Sequence, residues 1–262
     1  MKDIRPRDWN ELQALLFERS WNRNIQRWRS NFVYRGMSDA NFPLQTTLMR
    51  LGGDYRDLEF HLLRNFKKYA RRDAVQENNE WNWLAVAQHH GLPTRLLDFT
   101  YSPYVALHFA TVLLEAYDRD GVIWCVNYVD AHRLLPRILR RVQQSERANA
   151  FTAEMLDRAA ASLRELERLS QRQFAIFFEP PSLDERIVNQ FALFAFMSNP
   201  DARLDTWLAR QKGDLAFRII IPAEMKWEIR DKLDQANITE RVLFPGLDGL
   251  SRWLWRHYTL RK

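Results

Sequence analysis

The sequence predicts an α+β fold, from three observations. Residues 121 to 129, GVIWCVNYV, are β-branched and aromatic and bounded by turn chemistry, which marks a strand. Helical periodicity dominates the first half of the chain and most strand-like runs fall in the second, an order that disfavours alternating βαβ units. Between them lies Trp83 to Ala110, where helix, strand and helix follow one another within 28 residues. The chain has 262 residues, 46% hydrophobic and 27% charged, enough for one domain with a sizeable core.

The pattern predicts a helix from Asp8 through Arg29, with Leu12, Leu15, Leu16, Trp21, Ile25 and Trp28 at helical spacing. Asn31 to Met37 reads as a short strand interrupted by Gly36, and residues 39–52 as loop and turn. A basic amphipathic helix is expected from Asp54 to Asp73, with Leu58, Leu62, Phe66 and Tyr69 on one side.

The helix carrying Trp83, Leu84, Val86 and Ala87 should end at Gly91, a glycine able to take the left-handed conformation. Arg95 to Phe99 has strand length, and Pro103 fits the first turn of the next helix. Residues 131–171, free of glycine and rich in Arg, Glu, Ala and Leu, read as a helical insertion. Strands are expected at 173–178, 190–197, 216–221 and 238–244, a helix at 223–236 and a closing helix at 250–258.

The net charge of +6 is compatible with a polyanionic partner and equally with a mixed solvated surface. The single cysteine, Cys125, sits in an apolar run as a small core residue and excludes both an intrachain disulfide and a cysteine-based zinc site. No apolar stretch approaches the ~20 residues of a membrane span, and the N-terminus has no signal-like region, so a cytoplasmic location is expected.

Phosphate-binding GxxxxGK[ST], GxGxxG and GxSxG motifs are all absent. His89 and His90 are neighbours on a helix, so their side chains diverge and no shared metal is expected. Gln88, His89, Arg95, Asp98, Thr100 and Ser102 instead cluster at helix and strand ends, as polar groups edging an apolar framework. In Tyr34-Arg35-Gly36, an arginine near a strand end precedes a glycine through which a ligand can approach the backbone, which suits a phosphate or carboxylate. A structural pairing of Arg35 with Asp39 or Asp98 explains the same residues. Glu240, in a closing strand, is costly to bury without a partner, and a structural pair with Arg241 or with a neighbouring strand is the simpler explanation for it.

Three segments, YRGMSDANFPLQTTLMR, LAVAQHHGLPTRLLDFTYSPYVALHFA and NITERVLFPGLDGL, together resemble the FRG domain family, named for its aromatic-Arg-Gly motif. The resemblance runs from about residue 31 to 250 and implies one FRG-type domain over residues 1–262, of a bacterial toxin or anti-phage kind. A more distant resemblance links Arg35, the Thr100-Tyr101-Ser102 corner and Glu240 to ADP-ribosyltransferases of the Arg-Ser-Glu type.

That second resemblance implies an ADP-ribosyltransferase-like split β-sheet core with N-terminal helices, and NAD as substrate. Arg35 would hold the pyrophosphate and Thr100 or Ser102 the nicotinamide ribose, while Glu240 would steady the positive charge as nicotinamide leaves. Tyr34, Gly36, Gln88, His89 and Arg95 complete the expected NAD-binding set, with Arg35 and Glu240 as the catalytic pair. The serine-rich corner is reduced to Thr100-Tyr101-Ser102, and Ile238 stands where many such enzymes carry a second acidic or amide residue, so arginine-directed transfer is not implied. Acceptors left open are RNA, DNA or protein, with an antitoxin or inhibitor protein as a further partner. The competing expectations are a NAD glycohydrolase sharing every site residue, and a non-catalytic module that binds nucleic acid through a basic face.

Overall fold

A computed structural model describes residues 1–70, 75, 77–182 and 184–260. Seven strands form one mixed sheet in the spatial order β1 (Lys2–Ile4), β9 (Ala216–Ile221), β6 (Gly121–Asn127), β4 (Phe32–Met37), β5 (Leu97–Thr100), β8 (Ala192–Met197) and β7 (Ala175–Phe178). Among the strand pairs of the described residues, β1–β9 is parallel and the others are antiparallel. A separate hairpin pairs β2 (Trp21–Asn22) with β3 (Arg27–Trp28). Thirteen helices among the described residues complete a mixed α+β fold.

Alternation along the strands sorts the core. Phe32 and Tyr34 of β4, Ile123 and Cys125 of β6, and Phe217 and Ile219 of β9 face one side. Leu12 and Leu16 of α1 (Trp9–Phe17), Ala106 and Ala110 of α4 (Pro103–Thr111), and Ile229 and Leu233 of α11 (Lys226–Gln235) cover them. On the opposite side, Val33, Met37, Trp124 and Val126 meet Ala131 of α5 (Tyr128–His132) and Trp207 and Leu208 of α10 (Leu204–Arg210). Over β7 and β8, Phe178, Phe194 and Phe196 pack with Trp81 and Leu84 of α3 (Glu80–His89). Leu139 of α6 (Arg137–Glu146), Leu156 of α7 (Ala153–Ala159), and Leu163 and Leu166 of α8 (Leu163–Arg168) close that layer, so 131–171 is helical as expected. Cys125 is fully buried, and burial pushes its thiol pKa up, leaving it inert.

Several sequence expectations need correction. The helix expected from Asp8 to Arg29 stops at Phe17, with Asp8 capping it. Trp21, Ile25 and Trp28 imitate helical spacing, but Trp21 and Trp28 are cross-strand partners with ring centroids 5.5 Å apart. Six of the nine strands among the described residues lie before residue 128, so strands are not concentrated in the second half. The helix expected at 54–73 is α2, Tyr55–Tyr69, and residues 71–73 lie outside the described set. The strand expected from Arg95 begins at Leu97. Ile238 to Phe244 is no strand: it holds α12 (Glu240–Leu243), followed by α13 (Leu247–His257). Gly249 explains that packing, because a Cβ there would lie 1.9 Å from the Phe244 carbonyl oxygen. No helix among the described residues is long and apolar enough to cross a membrane.

Candidate functional site

The join between β4 and β5 is the weakest in the main sheet, with a single paired position, Tyr34 opposite Thr100. Around that join lies a cavity of about 220 Å³, walled by Tyr34, Arg35 and Gly36 of β4 and by Asp98, Phe99 and Thr100 of β5. Gln88 and His89 at the end of α3 form a second wall. A third side comes from Arg186 and Ile187 of α9 (Glu185–Asn189) and the following Gln190, with Phe109 and Phe194 supplying apolar surface. Six of the nine site residues anticipated from sequence therefore meet at one cavity; Arg95, Ser102 and Glu240 do not line it.

Local chemistry explains the meeting. Asn79 caps the start of α3 and Gly91, at φ +82°, ends it, which fixes where Gln88 and His89 emerge. Ser102 accepts from the Val105 amide as the cap of α4, so its hydroxyl serves the helix. Thr100 donates to the Gln190 carbonyl at 2.7 Å and accepts from the Ser102 amide at 3.0 Å. His89 joins Asp184, the capping residue of α9, and thereby ties two walls together.

Gly36 serves packing as well as access. A Cβ at this position would sit 1.7 Å from the Ala106 carbonyl oxygen, so only glycine lets α4 cross β4 at this distance. Arg35 is one-fifth exposed, and its Nη1 donates to the Asp98 carbonyl at 2.5 Å and lies 3.8 Å from the Asp98 carboxylate. Asp39, the other partner anticipated for it, is taken by Arg119 at 2.8 Å. Burial lowers the Arg35 pKa, Asp98 opposes that change and Arg50 nearby adds to it. Its Nε is buried with no hydrogen-bond partner among the described residues. Asp98 is 62% exposed and receives two hydrogen bonds from Gln88, at 3.1 and 3.2 Å.

Glu240 does not line this cavity. It is 2% exposed, and its two oxygens accept from Arg256 at 2.5 and 2.8 Å. Burial raises its pKa and the Arg256 hydrogen bond lowers it, with a net lowering. The partner is thus Arg256, sixteen residues on, and not Arg241. The connection to the cavity is indirect: Val242 and Leu243 of α12 accept from Asn189 and Gln190, each at 2.9 Å. Arg95 is 1% exposed and bound by Glu59 of α2 and by Glu167, which makes it a buried structural cation.

Sequence reasoning missed Arg186, Gln190, Phe109 and Phe194. Arg186 lies between the strands expected at 173–178 and 190–197, and its guanidinium stacks 4.9 Å from the Phe244 ring.

Residues 30–119 match the family model of the FRG domain. That span contains β4, α3, β5 and α4, hence the Arg35 and Asp98 walls, and ends before Arg186, Gln190 and Glu240. No curated protein and no solved structure matches the chain.

Proposed function

We propose that this chain is a NAD-dependent ADP-ribosyltransferase that works through the cavity at the β4–β5 join. The observation that carries the reading is Arg35, a guanidinium set in the cavity wall and one-fifth exposed there. A guanidinium in a cavity wall offers charge-assisted hydrogen bonds to phosphate oxygens, the stronger class of such bonds. Arg186, and Arg50 beside Arg35, add positive charge that favours the same ligand class. The single paired position between an aromatic-Arg-Gly strand and a strand that ends at Thr100, just before the Ser102 cap of α4, supports a split sheet of the ADP-ribosyltransferase type. At about 220 Å³ the cavity is small for a whole dinucleotide and suits a part of it, such as the nicotinamide ring with its ribose.

In this reading Asp98, the carboxylate in the cavity wall, faces the reacting ribose, and Glu240 positions α12 and through it Gln190. The bond from ribose C1′ to the nicotinamide nitrogen breaks, and its electron pair leaves with neutral nicotinamide. A lone pair of the acceptor forms the new bond to C1′, and the acceptor's proton passes to solvent. Asp98 stabilises the cationic sugar between these events, as carboxylates do in glycoside cleavage.

Calorimetric titration with NAD tests the assignment. Arg35→Gln is expected to weaken binding about 10- to 100-fold, the worth of a charge-assisted hydrogen bond. Equal affinity in the folded variant would remove Arg35 from the site and the reading with it.

A further inference from the structure

We propose that α6 and the turn before it form a binding surface for the phosphodiester backbone of a nucleic acid, separate from the β4–β5 cavity. Residues 133–147 hold five arginines, Arg133, Arg137, Arg140, Arg141 and Arg147, against one acidic residue, Glu146. All five are exposed. Arg133 pairs with Asp130 at 3.0 Å, and Glu146 is taken by Arg158 at 2.6 Å. Arg137, Arg140, Arg141 and Arg147 have no ion pair among the described residues.

Helix stability does not explain this charge. Arg137 and Arg140 stand in the first turn of α6, which has no acidic residue and no side-chain cap. Cations there oppose the helix dipole. Arg137 also lies three and four residues from Arg140 and Arg141, so like charges neighbour one another on one face, a destabilising arrangement of about 0.2–0.5 kcal/mol per pair. A partner carrying regularly spaced negative charge reverses both penalties.

The geometry fits such a partner. Arg133, Arg140 and Arg147 recur at seven-residue intervals along a groove of about 400 Å³ between α5 and α6. Gln143, Gln144 and Asn149 add neutral hydrogen-bonding groups to it. Ten helical residues span about 15 Å, roughly four nucleotide steps of one strand at ~3.4 Å each. The charge is entirely arginine, whose planar fork suits phosphate oxygens.

A bilayer surface suits this helix less well. Interfacial helices insert a broad free apolar face, whereas here Leu139 is fully buried and Val142 packs into the cluster beneath β7 and β8, leaving Ile138 and, in the preceding turn, Leu134 as the exposed large apolar side chains. The proposal does not depend on NAD chemistry at the other site.

Fluorescence anisotropy with labelled single-stranded RNA, single-stranded DNA and duplex DNA across a salt series tests it. The intact chain is expected to bind at least one with salt-sensitive affinity. The exposed substitutions Arg137→Gln, Arg140→Gln and Arg141→Gln together should lower the slope of log K against log salt by about 2 to 3, one step per lost phosphate contact. Replacing Arg23, Arg27 and Arg29, exposed in and beside the β2–β3 hairpin, by Gln should leave that slope unchanged. An unchanged slope in the α6 variant, an equal loss in the hairpin variant, or binding to phosphatidylserine vesicles without binding to any polynucleotide would overturn the proposal.

Discussion

Gly36 of β4 lies so close to the Ala106 carbonyl of α4 that a methyl group on it would overlap that oxygen at 1.7 Å. The contact fixes the depth at which α4 crosses the sheet beside the cavity. Gly36→Ala forces backbone apart from backbone, and overpacking of this kind costs about 1–3 kcal/mol or more. Urea denaturation should show a lowered midpoint, whereas an unchanged midpoint would mean that α4 does not sit as described.

Arg95, two residues before β5, and Glu59 of α2 form a buried pair, with Glu167 of α8 as a third member. Removing the cation alone leaves buried negative charge, at a cost of about 3–5 kcal/mol. Arg95→Met should therefore unfold at markedly lower denaturant, and Arg95→Met with Glu59→Leu should regain much of the loss. A loss of NAD binding in Arg95→Met at unchanged stability would return Arg95 to the ligand site.

His108 and His132 are buried and neutral. Burial first, and then repulsion from Arg230, lowers the His108 pKa to about 3 against the opposing pull of Glu240. Burial lowers that of His132 to about 4, with the Asn149 carbonyl opposing. The unfolded chain takes up protons on these imidazoles below their ordinary value of 6.5, and the folded chain does not. Stability is thus full above that value and falls as the pH drops, by about 1.4 kcal/mol per pH unit for each histidine. In a series of denaturation curves, His108→Gln should remove one such increment between pH ~6 and ~4. An identical slope in the variant would show that His108 is protonated in the folded state.

Local chemistry made much of this fold legible. Gly91 as a helix stop, Ser102-Pro103 as a helix start and the GVIWCVN strand all follow from properties of single residues and their neighbours. The Tyr34-Arg35-Gly36 and Gln88-His89 walls were legible for the same reason. Arg95 was not: its partners lie 36 residues before and 72 residues after it, and nothing in RLLDF signals them. Thr239 to Phe244 was misread because its β-branched and apolar residues imitate a strand. Packing decides there, with Gly249 admitting α13 against α12 and Arg256 reaching Glu240. Arg186 was invisible because α9 is a five-residue helix held by its Asp184 cap and by tertiary hydrogen bonds rather than by an amphipathic pattern.

Nicotinamide release from NAD by folded Asp98→Asn and Glu240→Gln proteins, measured beside the unaltered chain, is the most direct test of the cavity's chemistry. With Asp98 as the carboxylate facing the ribose, Asp98→Asn should lose on the order of 10²-fold or more in rate. Glu240→Gln should lose far less once its folded fraction is matched. Full release by Asp98→Asn, together with abolished release by a folded Glu240→Gln, would contradict the assignment and make Glu240 the catalytic carboxylate.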